Sequence, residues 1–294
     1  MQVADTVRVS PRPRLADFIA LGKPRLSLLV VCTAAAGLWV APVPLPWWRS
    51  ILALLATLVL VGSANAFNSY WERESDSVMR RTRRRPLPDE RLEPHHALTA
   101  SIVGALASTG ILLATTNVIT AVLGSLAFVI YGVVYTPLKA RSSMALFVGG
   151  IPGAIPPLMG WTAATGQIDL VGLALFGILF LWQLPHFIAI SIYLSDDYER
   201  GGLKVFSNVH GANVARISVV VTAALLIPVA WSLVPLGVGT SLYGVASIVL
   251  GAGFLVATLN GIRGKRLKRW GRQVFLASLV YLTLLLAALA VGSH

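Results

Sequence analysis

Charge is what this sequence has least of: only 12% of its 294 residues are Asp, Glu, Lys or Arg, about half the usual share of a soluble domain. That shortage comes with 56% hydrophobic residues and a mean hydropathy of +0.75. The combination excludes a disordered chain, which needs the opposite balance, and points to a membrane-embedded one. Cysteine is nearly absent. Cys32 stands alone, so an intrachain disulfide is excluded, and its place in an apolar run reads as a small core residue. Met1–Arg14 has arginines but no apolar stretch between them, so it does not read as a secretory signal.

What is plentiful is continuous apolar sequence. A helix needs about 20 such residues to cross ~30 Å of hydrocarbon. About nine runs qualify by that length: 18–40, 50–70, 97–115, 118–136, 144–164, 170–193, 213–235, 239–259 and 273–292. Pro, Gly or charge clusters bound each one, and none alternates as a membrane strand does. Small residues such as Gly149-Gly150 and Gly153-Ala154 permit close helix approach in lipid. The expected architecture is all-α, a polytopic membrane protein of about nine transmembrane helices, with an N-terminal tail over 1–17 and one membrane domain over 18–294.

The few charges are not scattered. With the N-terminus cytoplasmic, segments 1–25, 70–96, 137–143, 194–216 and 260–272 are inner ones and hold every one of the 24 Lys and Arg except Arg49. The reverse orientation would break the positive-inside rule at nearly every loop. The net charge of +12 therefore expresses topology near anionic lipid, not affinity for nucleic acid. All 12 acidic residues but Asp169 also lie on the inner side, which topology does not require. Two acidic groups continue straight from apolar runs, Asn65-Asn68-Glu72-Asp76 and Asp196-Asp197-Glu199. An even number of spans separates them, so both emerge on one face, together with the Lys139/Arg141 loop.

Spacings of three, four and four put Asn65, Asn68, Glu72 and Asp76 within roughly 80° of one helical face, with Glu74 about opposite. Oxygen ligands stacked this way suit Mg²⁺, which binds one or two carboxylates plus substrate phosphates. They equally suit a solvated helix end whose acids pair with Arg73 or Arg80, and spacing alone does not decide. Next, Arg80-Arg81-Thr82-Arg83-Arg84-Arg85-Pro86-Leu87-Pro88 is a membrane anchor or, beside the acidic face, a polyanion cradle, since guanidinium binds phosphate bidentately.

Several stretches together resemble the UbiA-type intramembrane prenyltransferases: Lys23-Pro24-Arg25, Asn68-x3-Glu72-x3-Asp76 and Arg81–Pro88. Tyr135-Thr-Pro-Leu-Lys139, Gly149–Trp161 and Trp182-Gln183-Leu-Pro185-His186-Phe187 are similar to the protohaem IX farnesyltransferase (haem O synthase) branch. The chain departs from that branch in having Glu72 and Glu74 for Asp, Gly201–Ser207 in place of a Pro-Met-Leu-Pro-like stretch, and Ser142–Ala145 in place of Thr-x-x-Asn.

The resemblance implies a farnesyl diphosphate donor, a haem b acceptor, membrane lipid as surroundings and Mg²⁺ as cofactor. By it, Asn68, Glu72 and Asp76 hold one ion and Asp197, with Asp196, a second; Arg81, Arg85, Lys139 and Arg141 grip diphosphate oxygens; and His186, Asn65 and Tyr135 face the acceptor. It also implies a bacterial inner-membrane location and association with haem A synthase or oxidase assembly. A quinone-type aromatic acceptor stays open. A transporter is the rival class, but transporters carry ionisable groups at the bilayer midplane, where this chain has almost none. His186 is the exception, an ionisable group inside a span and a functional candidate for that reason. His95 and His96 read as loop residues.

Overall fold

The structure, a computed structural model, describes residues 14–260, 264 and 266–293. Most of the expected tail, with Arg263 and Lys265 of the expected inner segment 260–272, lies outside the described residues. Everything long in it is helical: α1 (Leu15–Leu21), α2 (Pro24–Trp39), α3 (Trp47–Trp71), α4 (Arg73–Val78), α5 (Pro94–Thr115), α6 (Val118–Val129), a π-helical turn (Ile130–Tyr135), α7 (Thr136–Arg141), α8 (Ala145–Thr165), α9 (Leu170–Tyr193), α10 (Ser195–Arg200), α11 (Phe206–His210), α12 (Ala212–Trp231), α13 (Ser241–Leu259) and α14 (Leu267–Gly292).

Among the described residues seven helices are long and apolar enough to cross a membrane, or eight if the bent pair α1 and α2 is one span. The chain is an integral membrane protein. The ninth expected span is α8. It forms where expected but is not among the seven, because Pro152, Pro156 and Pro157 and its glycines dilute its apolar character. It is instead the inner helix, packed against α2, α6 and α9. Ala154 and Trp161 belong to the core shared with α9 and α12–α14, while Ile155, Leu158 and Met159 belong to the core shared with α3, α5 and α6. Without bulky side chains α2 and α8 meet backbone to backbone: any side chain on Gly37 or Gly160 would run into the other helix.

Apolar residues on the outer faces, such as Val59, Leu106, Val122, Leu225 and Val249, are exposed, as a lipid-facing surface requires. Cys32 shares that surface and is exposed, not the core residue its sequence context suggested; in hydrocarbon a thiol gains little from burial in protein. The first span is not one helix either. It bends by 54° between α1 and α2, where Lys23 takes a left-handed φ of 48° and Pro24 begins the next helix. A non-glycine residue is held there at a cost of order 1–3 kcal/mol, and its position shows why.

Candidate functional site

The five short helices α1, α4, α7, α10 and α11 adjoin the ends of the long ones at one end of the bundle, and the charged residues gather there. The row expected from spacing exists. Although α3 stops at Trp71 and Glu72 has φ −90° and ψ 8°, the ladder crosses the break: Glu72 N–H donates to the Asn68 carbonyl at 2.9 Å and Asp76 N–H to that of Glu72 at 2.7 Å. Asn68, Glu72 and Asp76 are all buried. Glu74 points away, its side chain 88% exposed and paired with Arg73 at 3.4 Å.

Each member of the row meets a basic side chain from outside α3 and α4. Lys23 Nζ donates to Asn68 Oδ1 at 2.8 Å. Lys139 Nζ lies 2.8 Å from Glu72 Oε1, and Arg85 Nη1 lies 2.6 Å from Asp76 Oδ2. Pairing with Arg73 or Arg80, the ordinary solvated-end arrangement, is not what occurs. Burial pushes the Glu72 carboxyl up, but the Lys139 ammonium, seconded by Lys23 and the Asn68 amide, holds it below the usual carboxylate range. Asp76 has a second oxygen, Oδ1, that is buried and has no hydrogen-bond partner. A bare carboxylate oxygen inside a protein costs free energy. In a row of acidic and amide oxygens it fits a divalent cation of the hard, oxygen-seeking kind.

The Lys23 strain belongs to this arrangement. The bend at Lys23 brings its ammonium onto Asn68 and lets Asn65 tie the same corner: Asn65 Nδ2 donates to Ser27 Oγ at 3.3 Å and to the Gly22 carbonyl at 3.4 Å. Sequence reasoning used Lys23 only as part of a motif and gave it no role. The signal was available: a lysine followed by proline, at the start of an apolar run, with an asparagine-rich helix to receive it.

The π turn supplies the roof. Tyr131 and Tyr135, four residues apart on it, lie on one side with their rings 5.5 Å apart, while Thr136 Oγ1 donates to the Tyr131 carbonyl at 2.7 Å and accepts from Asn68 Nδ2 at 3.3 Å. Tyr131 OH reaches Asn65 Oδ1 at 3.5 Å, and Lys139 Nζ sits 5.8 Å from the Tyr135 ring centre. Tyr131 carries no sequence motif, and a single π turn in a span is invisible to hydropathy. Such turns recur at functional sites.

Asp197 joins through a different connection. Its Oδ1 accepts from the Arg80 backbone N–H at 2.9 Å and from Arg200 at 3.1 Å, so it fastens the arginine segment by its main chain. Burial raises the Asp197 carboxyl, yet the Arg80 and Arg81 amides and the Arg200 guanidinium hold it below its ordinary value. Asp196, its neighbour, faces out to Lys268 at 2.6 Å, whose ammonium keeps that carboxyl low as well. The side chains of Arg81 and Arg141 are exposed and, among the described residues, make no hydrogen bond or ion pair with the acidic row.

His186 stands apart, in α9 against α14. Its ring lies between Trp182 and Phe275, 4.8 Å from each, and Nδ1 is 2.8 Å from Ser278 Oγ. With the Ser278 hydroxyl proton on the Phe275 carbonyl, 2.7 Å away, the imidazole can donate at Nδ1 and keep its lone pair on Nε2. His95 and His96 open α5 and are not loop residues; with Glu93 their ligand atoms lie within 4.8 Å of one another.

Residues 29–280 match the UbiA prenyltransferase family. The chain is 50% identical to the "Protoheme IX farnesyltransferase" of Anaeromyxobacter dehalogenans over 284 residues, 96% of either chain. It is 47% identical to the protein of the same name from Myxococcus xanthus over 274 residues, 93% of either chain. Among solved structures, a UbiA homolog from Archaeoglobus fulgidus bound to GPP and Mg2+ superposes with a TM-score of 0.72 at 16% identity, over 93% of this chain and 99% of that one. A digeranylgeranylglyceryl phosphate synthase structure does so with a TM-score of 0.80 at 14% identity, over 95% and 98%. At these identities the structures speak for the fold.

Proposed function

The chain belongs to the UbiA prenyltransferase family, and from that premise we propose that it transfers the farnesyl group of farnesyl diphosphate to a vinyl group of haem b, giving haem O and diphosphate. The observation that carries the proposal is the buried row Asn68–Glu72–Asp76, with a bare Asp76 oxygen, ringed by Lys23, Arg85 and Lys139 from three other parts of the chain. Alternating acids and bases at one membrane face are what a metal-bound diphosphate needs. The high identity to relatives that carry the farnesyltransferase name supplies donor and acceptor.

Asn68, Glu72 and Asp76 would hold one Mg²⁺ ion and Asp197 a second. Bound there, the metal would neutralise charge developing on the diphosphate leaving group. Lys23, Lys139 and Arg85, which pair with Asn68, Glu72 and Asp76, would then be free to bind diphosphate oxygens, with Arg81 and Arg141 adding to them. As the allylic C–O bond breaks, its electron pair leaves with diphosphate, and these fixed positive groups stabilise that charge where water cannot screen it. The Tyr131 and Tyr135 rings offer π faces to the allylic cation. The vinyl π electrons of the acceptor form the new C–C bond, and water takes the resulting cation, losing a proton to leave a hydroxyl.

The acceptor is seated by His186. Its Nδ1–H is committed to Ser278, which orients the ring and leaves Nε2 basic, the state that ligates haem iron. Tail 1–17 and domain 18–294, an N-terminus and charged face on the cytoplasmic side of a bacterial inner membrane, and delivery of haem O towards haem A synthesis complete the proposal. The test is direct. Purified protein with Mg²⁺, farnesyl diphosphate and haem b should yield a farnesylated, hydrated haem by mass spectrometry. No haem adduct, with prenylation of a hydroxybenzoate or naphthoate instead, would overturn the acceptor and keep the family.

A further inference from the structure

A second concavity opens on the same charged face, away from the acidic row. It is about 450 Å³ in volume and lies between the end of α9, α11 and the start of α14. Arg266, Lys268 and Arg269 line it from one side, and Ser195, Ser207 and Asn208 from the other. Ile192 and Leu267 form its apolar wall.

Two features set this cavity apart from an ordinary basic loop. Arg266 and Arg269 have no ion-pair partner among the described residues, whereas the third cation, Lys268, is paired with Asp196. The cations also crowd the wrong end of a helix. A helix N-terminus carries partial positive charge and favours anions. Yet α14 begins with Arg266 at its N-cap, has no side-chain cap there and no acidic residue in its first turn. Two unpaired guanidinium groups and an uncapped helix end stand together at this cavity, and an anion in it would relieve their mutual repulsion.

We propose that this cavity binds a phosphate anion, with Arg266 and Arg269 as its charged contacts and the Ser195 hydroxyl as a neutral donor; Ser207 and Asn208 are already engaged, Ser207 Oγ with Asn208 Oδ1 and Asn208 Nδ2 with Glu199. Guanidinium pairs and hydroxyl donors match a phosphate's oxygens. An opening at the ends of membrane helices, with an apolar wall, suits the phosphate of an anionic lipid headgroup; the same contacts would serve free phosphate, and the two sources are separable. The site does not depend on which acceptor the acidic row prenylates.

Native mass spectrometry of the full-length protein decides it. Protein would be exchanged into micelles containing phosphatidylglycerol or phosphatidylcholine, or titrated with inorganic phosphate. The expected result is a retained phosphatidylglycerol molecule that phosphatidylcholine does not replace, and roughly tenfold weaker retention in R266Q/R269Q, which loses both direct guanidinium contacts to the phosphate. R266K/R269K should restore much of it. R272Q is the comparison for bulk charge, since Arg272 lies over the Tyr193 ring at 6.0 Å and does not line the cavity; it should retain lipid. Saturable binding of inorganic phosphate that R266Q/R269Q abolishes, without lipid retention, would assign the site to free phosphate. Retention in R266Q/R269Q equal to the unaltered protein, loss in R272Q as great as in R266Q/R269Q, or no binding of either anion would overturn the proposal.

Discussion

The two acidic groups look alike in sequence, each a short polar continuation of an apolar helix, but they are built on opposite plans. In the row Asn68–Glu72–Asp76 every side chain is buried and each is met by a basic side chain from outside α3 and α4. In the pair Asp196–Asp197 one carboxylate is buried and the other is turned out to Lys268. Asp197 is held by a backbone amide of the arginine segment as well as by Arg200. Side-chain pairs can exchange partners when a ligand arrives; a main-chain bond can do so only by moving the segment. The first group is thus an exchangeable site and the second a fastening that sets where the arginines stand.

The largest effect expected from this contrast is at Asp76. Asp76→Asn should lower kcat/KM by about 10²–10³-fold, the usual cost of removing one preorganised electrostatic group. Haem-product mass spectrometry measures it, and a monodisperse chromatography peak shows that the fold is kept. Asp197→Ala should fall nearly as far. It alone should also speed hydrogen exchange over 79–85, because removing Oδ1 frees the Arg80 amide; equal exchange in both variants would erase the distinction drawn between the groups. Lys23→Met should raise KM for the prenyl diphosphate about tenfold, as loss of one charge-assisted contact does, with a smaller change in kcat. At the small end, Glu74→Ala should stay within about twofold of the parent, as an exposed, weakly paired carboxylate predicts.

Acid should separate the groups from the rest of the molecule. Glu72 and Asp197 are both held below their ordinary values, so the folded protein binds fewer protons there than the unfolded chain. The stability they contribute is whole above the unfolded carboxylate range, about pH 4, and is lost as pH falls through their lower folded values. The thermal midpoint in detergent should therefore drop as pH falls below about pH 4. Glu72→Gln should shallow that drop. A drop that Glu72→Gln leaves unchanged would assign it to other groups.

Much of this was legible before any coordinates. Continuous apolar runs can only be helices in lipid, since lone strands leave backbone groups unpaired, and the run positions agree with the long helices. The period of the helix alone separated Glu74 from Glu72 and Asp76. Other features were hidden for definite reasons. The bend at Lys23 and the π turn at Ile130–Tyr135 change no hydropathy. Cys32 could be placed inward or outward, because a lipid-facing surface and a core share one composition. The partner of Glu72 is 67 positions away at Lys139, and no local pattern records such a distance.

By itself, then, the sequence determined the membrane class, the positions of the spans, the face on which charge collects and the side of α3 and α4 that carries the acids. These follow from solvent transfer energies and helical period, which act on neighbours in the chain. Only the tertiary structure decided which cation meets which acid, that Asp76 keeps one oxygen bare and that Asp196 and Asp197 part company. Those are properties of side chains brought together from separate helices, where distance and burial, not order along the chain, set the energy.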